Sequence, residues 1–411
     1  MADEIHLFSS AHSYAPVLTG ENGKLIDLLT ACLVDGYTAQ SVASITRSGT
    51  TATVTVTGGH GITDGKWVTI AGADQSDYNG RFQATYVSST VFTVQVANSP
   101  TTPATGTITA RRASAGWNLE YSGTNKAAYR SPNNAGARHC LRVLDDGSGP
   151  GGAKAASLIG YVSMSDVDTG GEPFPTAAQM TVGVFAHKSA TADSTARSWL
   201  LFANDKTFYM FIVNGANNAS QFWGFGHFDS FVSGDGYNTF LAAGNGSTLV
   251  NSNSTLSGVA NGCGLSSSSI ATTARIYIPR SGAQTGTSII CAATALVEGN
   301  QSYNGFGAGN TVNAISSGSV LGPSTNYDGG LYCIQPIIYE KSGSNNNRLR
   351  GMLPGVYSSL HVFADVSGLG GTTSTGLIQL PGVTVYHLNT NAADASGNAG
   401  GQVLIDITGP W

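Results

Sequence analysis

Residues 58–65, Gly-Gly-His-Gly-Ile-Thr-Asp-Gly, gather glycines, His60 and Asp64 into one short loop ahead of the apolar run at 66–70. A phosphate cradle would need those glycines to lead from a strand into a helix whose free N–H groups face the anion. Here the run that follows reads as another strand, and Asp64 stands where a third glycine would be required. An acid–base pair of His60 and Asp64 would need a nucleophile or metal within hydrogen-bond reach and a site that excludes water, which a small β-module rarely supplies. The remaining reading is a strand connection, with His60 near the left-handed region and Asp64 capping its own turn.

Other residues with chemical potential are weighed in the same way. Asp166 and Asp168 alternate in one loop and Asp145 and Asp146 are adjacent in another, so their hard oxygens could hold calcium. The twelve-residue EF-hand spacing is absent, however, and Asx turns use the same residues. Phe222, Trp223, Phe225, His227, Phe228 and Phe231 crowd the segment 220–231. Aromatics beside Asp and Gly could stack on a sugar ring, while their alternation also suits a strand burying one aromatic face. Cys32, Cys140, Cys263, Cys291 and Cys333 are widely separated without a CxxC pair, which points to buried free thiols and not to zinc. No nucleophile elbow, zinc-protease helix or Walker loop occurs, and the carboxylates are too scattered to name a glycosidase pair. The sequence nominates no catalytic residue, no cofactor-binding residue and no metal ligand, and a non-enzymatic role is expected.

The elements that would position these residues are mostly strands. Charged residues are 10% of the 411, apolar residues 41%, and glycine contributes 54; ordinary domains carry about 25% charge. Such a chain builds its surface from Ser, Thr, Asn and Gly, and its poverty in Glu, Lys and Arg disfavours helix. One helix is expected over 21–36, where Leu25, Leu28, Leu29, Cys32 and Leu33 recur at helical spacing before Gly36. An apolar arm precedes it. From 41 to 112 the pattern shifts to period two, predicting six short strands, with Asn79-Gly80 as a turn signal. Beyond it, strands are expected at 180–186, 274–278, 382–388 and 402–408, and a hairpin where 198–203 and 207–213 flank Asn204-Asp205-Lys206. The stretches 144–153 and 245–264 read as surface loops. The fold expected is mainly β: an N-terminal arm and short helix for docking (1–40), a small Ig-like β-sandwich (41–112), and a large C-terminal β-sandwich or jelly-roll-like domain (113–411).

The net charge of −5 without a basic run argues against nucleic acid. No apolar stretch approaches a membrane span, and Asp3 and Glu4 stand where a secretory signal would be basic, so folding in a cytoplasm is expected.

Gly59-His60-Gly61, the strand at 68–72, Asn79-Gly80 and the strand at 90–94 follow in the order seen in a small immunoglobulin-like module of tailed-bacteriophage structural proteins, which this segment resembles. The stretches 117–132, 160–176, 204–211, 222–231, 350–361 and 405–411 are similar to a largely uncharacterised group of virion proteins of tailed phages and prophages. The resemblance implies a virion structural component assembled in the host cytoplasm. Its expected place is the tail, as a fibre, spike or baseplate-type protein able to adhere to the host surface. A capsid decoration or other head-bound protein is the alternative, and a polysaccharide-degrading tail enzyme a third. Fibre shafts usually carry repeats or coiled coils, and neither is present here. The partners implied are further copies of the chain, with a trimer or larger ring compatible with symmetric virion sites, other virion proteins, and a host surface glycan.

Overall fold

The computed structural model describes residues 4–63, 65–133, 138–149, 151–180, 184–213, 220–244, 274–294, 331, 333–342, 346–359, 367–377, 379–389 and 402–411. The chain is mainly β, as expected, and divides into two compact units. The first comprises Met1–Leu7, Leu18–Ile26 and Asn118–Trp411, the second Phe8–Val17 and Asp27–Trp117. The N-terminal 40 residues are thus shared between the units. Phe8 and Leu18 are fully buried within the single chain, whereas Tyr14 and Val17 are exposed.

The small unit is a sandwich of two antiparallel four-stranded sheets. One runs Ser44–Ser48, Thr51–Thr55, Val91–Gln95, Thr85–Ser88, and the other Gln40–Ser41, Gly106–Arg112, Trp67–Ala73, Gly80–Gln83. Alternation puts Ile45, Val54, Val68, Ile70, Phe92 and Val94 in a shared core and leaves threonines outside. The segment 80–89, one of the six period-two runs of the sequence, forms two strands, Gly80–Gln83 and Thr85–Ser88. At buried Ala84 the chain leaves one sheet for the other, its backbone bonded on both sides to the 65–66 loop. Asn79 also departs from expectation. Its backbone is extended, φ −89°, and its side-chain amide instead clamps both backbone groups of Ala73, at 2.9 and 2.6 Å.

The expected helix forms as Lys24–Leu29 and continues as a π-turn, Thr30–Asp35, ending at Gly36 with φ 85°. Leu25 N–H, one of the orphan donors of its first turn, is satisfied by the carboxylate of Asp145 at 3.0 Å. The same carboxylate accepts from Lys188, which also donates to Glu21 O; both side chains are fully buried.

In the large unit, consecutive antiparallel pairings carry one sheet from Asn118–Gly123 through Lys126–Arg130, Cys140–Leu144, Ala155–Met164 and Phe185–His187 to Thr239–Gly244, and on through Ala274–Ile278, Ile289–Thr294 and Ile337–Ser342 to Asn346–Met352. From Thr239–Gly244 a branch leads back through Ser220–His227 and Thr207–Val213 to Ser198–Ala203. A second, five-stranded sheet contains Val356–Ser359, Leu380–Asn389 and Gln402–Asp406. Phe202, Tyr209, Phe222, Phe240, Leu388, Val403 and Ile405 form one core drawn from both sheets, the packing of a β-sandwich. Where a strand was expected at 180–186, Phe185–His187 forms one, with Met180 and Val184 outside it; residues 181–183 and the loop at 245–264 lie outside the described residues.

Tyr209 sits at the middle of this core. It lies opposite Gly224 in the register, and a Cβ on Gly224 would come within 2.7 Å of its ring. The ring stacks between Phe222 (5.8 Å) and Phe240 (6.0 Å), and its hydroxyl donates to Pro354 O at 2.9 Å. Replacing Gly224 by Ala drives a methyl group into a closed ring stack, and an overpacking cost of about 1–3 kcal/mol is expected. Thermal and denaturant unfolding of Gly224→Ala against the parent chain measures it.

Candidate functional site

The loop of His60 connects Thr51–Thr55 to Trp67–Ala73, strand to strand, as its spacing implies. Gly59 and Gly61 take positive φ, 86° and 60°, but His60 does not, which corrects the expectation that it sits near the left-handed region. Its ring is instead a buried clamp. Nδ1 accepts from Ile62 N–H at 3.0 Å and Nε2 faces Ser88 O at 2.7 Å, a pairing that fits the Nε2–H tautomer, and Phe92 meets the ring edge-on. Asp64 lies outside the described residues.

The aspartates singled out for calcium are spent on local structure. Asp166 Oδ1 accepts from the N–H groups of Asp168 and Thr169 at 2.7 and 2.9 Å, an Asx turn. Asp168 pairs with Lys126 and with Arg142, at 2.9 Å for the latter. Asp145 is the partner of Lys188, and Asp146 caps Ser148 through its N–H and hydroxyl. Among the described residues no group of three His, Cys, Asp or Glu side chains is arranged to hold a metal.

The aromatic segment divides. Phe222, Trp223, Phe225 and Phe228 are buried, Trp223 with Phe208 edge-on at 5.4 Å, so this run is core. Phe231 is the exception at 48% exposed. Cys32, Cys140, Cys291 and Cys333 are buried free thiols, with Cys140 and Cys333 each pushed up to about 11 chiefly by burial. Cys263 lies outside the described residues.

What the sequence reading missed lies beside Phe231. Short strand Asp229–Ser230 pairs with Met352 and Gly351, where a Cβ on Gly351 would meet Asp229 O at 2.3 Å. The loop that follows folds over Arg350, a fully buried guanidinium. Arg350 pairs with Asp235, donates to Ser230 Oγ at 2.8 Å, lies 3.0 Å from Glu340 Oε1, and covers the Phe228 ring at 5.2 Å. Both carboxylates are used further. Asp235 accepts from Ser230 Oγ (2.7 Å) and Tyr237 N–H (2.9 Å), and Glu340 accepts from Gly282 N–H (2.6 Å). One guanidinium therefore fixes two loops, 231–238 and 279–288.

The rim of the cluster is built on Tyr237. Arg280 lies 4.5 Å from its ring centroid and His139 stacks on the ring at 6.0 Å. Arg280 is bound by Glu172 through Nε (3.1 Å) and Nη2 (2.5 Å), and Gln284 Nε2 reaches back to Gly234 O at 3.4 Å. Glu172 and Gln284 both have positive φ, 51° and 58°. Such backbone costs roughly 1–2 kcal/mol in a non-glycine residue and concentrates at functional sites. The sequence signals for this cluster were Ser-Gly-Asp-Gly at 233–236 and an arginine, Arg350, two residues after Arg348.

Burial tends to raise the Asp235 carboxyl, but hydrogen bonds from Arg350, Ser230 and the Tyr237 N–H outweigh it and hold it below the usual range. It is a fixed anion at neutral pH and does not act as a proton donor there. Burial lowers His139 to about 4, with the charge of His227 acting the same way and Asp235 opposing it. His187 is likewise lowered to about 4 by burial and by Lys154.

These shifts set a pH dependence. A histidine takes up its proton near 6.5 when unfolded but only near 4 in the folded chain, so acid favours unfolding. Stability is expected to be full above about pH 6.5 and to decline as the pH falls toward 4, with His139→Phe flattening part of that slope in thermal melts. Arg350→Met strands two buried carboxylates and is expected to cost about 3–5 kcal/mol, read by denaturant unfolding.

No family model matches the chain, and no curated protein matches it. Among solved structures, a phage phi92 endosialidase is similar at 10% identity and a TM-score of 0.16, over 91% of this chain. The chain spans about half of that one, 52%, and a likeness this distant carries no argument about fold or activity.

Proposed function

We propose that the chain is a structural component of a tailed-phage virion, associated with the tail, and that the loops held by Arg350 form its contact with the host surface. The observation that carries the reading is the set of sequence stretches, from 117–132 to 405–411, that resemble phage and prophage virion proteins over most of the chain. The composition supports it: 10% charged residues and a surface of small polar groups suit a protein that buries much of itself against copies and neighbours. The role is structural and adhesive, not catalytic, and its setting is a homo-oligomer among other virion proteins.

The loop cluster fits host contact on physical grounds. Phe231 stands exposed on a backbone fixed by its N–H bond to Arg350 O at 3.0 Å. The same loop, 231–238, carries Ser233, Asp235 and Asn238, and its Tyr237 lies under Arg280 of the Arg280–Glu172 pair. An exposed aromatic on a fixed backbone offers a face on which a sugar ring could stack.

Gold labelling of purified particles with an antibody to residues 117–411 tests the placement. Label at the tail is expected; label over the head would replace the reading with capsid decoration, and unlabelled intact particles would remove the virion assignment. Phe231→Ala is expected to keep the parent melting temperature and to weaken binding to host cells by about tenfold, the loss of one stacking anchor. Unchanged binding would take the loop cluster out of the contact.

A further inference from the structure

Lys188 and Asp145 meet inside the large unit with neither side chain exposed. Each stands directly after a strand, Asp145 after Cys140–Leu144 and Lys188 after Phe185–His187, and both strands flank the start of Ala155–Met164, where Leu144 faces Ser157 and His187 faces Ala155. Two strand spacings, about 10 Å together, separate the positions, and one lysine and one aspartate side chain close that gap between them. Their backbones are fixed as well: Asp145 N–H donates to Asn125 O at 2.8 Å and Lys188 N–H to Lys154 O at 2.9 Å.

The contacts around the pair are those of an acylation site. Lys188 Nζ donates to Asp145 Oδ1 and to Glu21 O, while the other carboxylate oxygen, Oδ2, accepts from Leu25 N–H at 3.0 Å. A fixed N–H aimed at the oxygen that gains charge in a tetrahedral intermediate acts as an oxyanion-hole donor. Holding an amine against a carboxyl group in this way corresponds to an effective concentration of roughly 10⁵–10⁸ M. The sealed ion pair also carries a desolvation cost that a neutral amide in the same place does not.

We propose that Lys188 and Asp145 condense to an intramolecular isopeptide bond. A proton passes from the Lys188 ammonium to Asp145 Oδ1, and the neutral Nζ attacks Cγ. The bond between Cγ and Oδ1 then breaks, and Oδ1 leaves as water with the proton it received and a second one from Nζ. Nothing is oxidised or reduced. In the amide product Oδ2 keeps the Leu25 N–H and the remaining N–H on Nζ keeps Glu21 O, so two buried charges vanish while both hydrogen bonds stay. The described cysteines are free thiols; the isopeptide is a covalent tie of another kind, joining residues 43 apart and narrowing the unfolded ensemble. The inference is independent of the tail reading.

Peptide mapping of the folded full chain by mass spectrometry tests it. Trypsin is expected to release 143–154 joined to 155–197, uncut after Lys188, at the sum of the two peptide masses less one water. The intact chain is expected to be lighter than its sequence by the same water. Lys188→Arg, whose guanidinium stays charged and is not acylated, is expected to regain the full mass; the parent's peptides decide the matter if that variant does not fold. Linear peptides alone, cut after Lys188, overturn the proposal. So does a one-water loss confined to a linear 143–154, which would place a succinimide at Asp146-Gly147 instead.

Discussion

The large unit depends on one steric fact: the ring of Tyr209 occupies the space that a side chain at position 224 would fill. With only hydrogen at Gly224, the ring lies across the neighbouring strand and joins Phe222 and Phe240 in one stack. Its hydroxyl reaches Pro354 O beneath, and Trp411 packs at 5.6 Å. A strand glycine ordinarily weakens a sheet, and here a cross-strand aromatic covers it. The same stack buries the aromatic run of 222–228, so side chains that might have stacked on a ligand hold two sheets together instead.

Charge is used sparingly, and a few of the charges are buried as pairs. Lys188 with Asp145 ties the 21–25 segment to a strand end, and Arg350 with Asp235 and Glu340 ties two loops to a sheet edge. Burying such pairs yields little net stability, but removing one partner is expensive, so each acts as a specificity device for the segments it joins. In a chain with few charges these contacts decide which loops are rigid.

The sequence displayed period and punctuation but not the partners of single side chains. The hairpin at 198–213 was legible because Asn204 carries its own turn chemistry: its Oδ1 accepts from the N–H groups of Lys206 and Thr207. The helix was legible because its apolar spacing is local. The opening loop was read correctly as a strand connection, yet His60 was assigned to backbone geometry when its ring bonds Ser88, 28 residues away. Asn79 was taken for a turn residue in its own right when its side chain replaces a turn through Ala73. Neither error could be avoided from spacing, because the deciding partner is set by the fold of other segments.

The sequence by itself determined that this is a β-rich chain, where the strands of the small module, several strands of the large unit and the helix lie, and that few charges would serve its surface. Those properties follow from composition and short-range periodicity, which need no knowledge of contacts. Only the tertiary structure decided which carboxylates are spent on turns and that Arg350 gathers Ser230, Asp235 and Glu340 from separate segments. The physical reason is that a charge or aromatic ring takes its role from what lies within a few ångströms of it, and in an antiparallel β fold those neighbours come from strands distant in sequence.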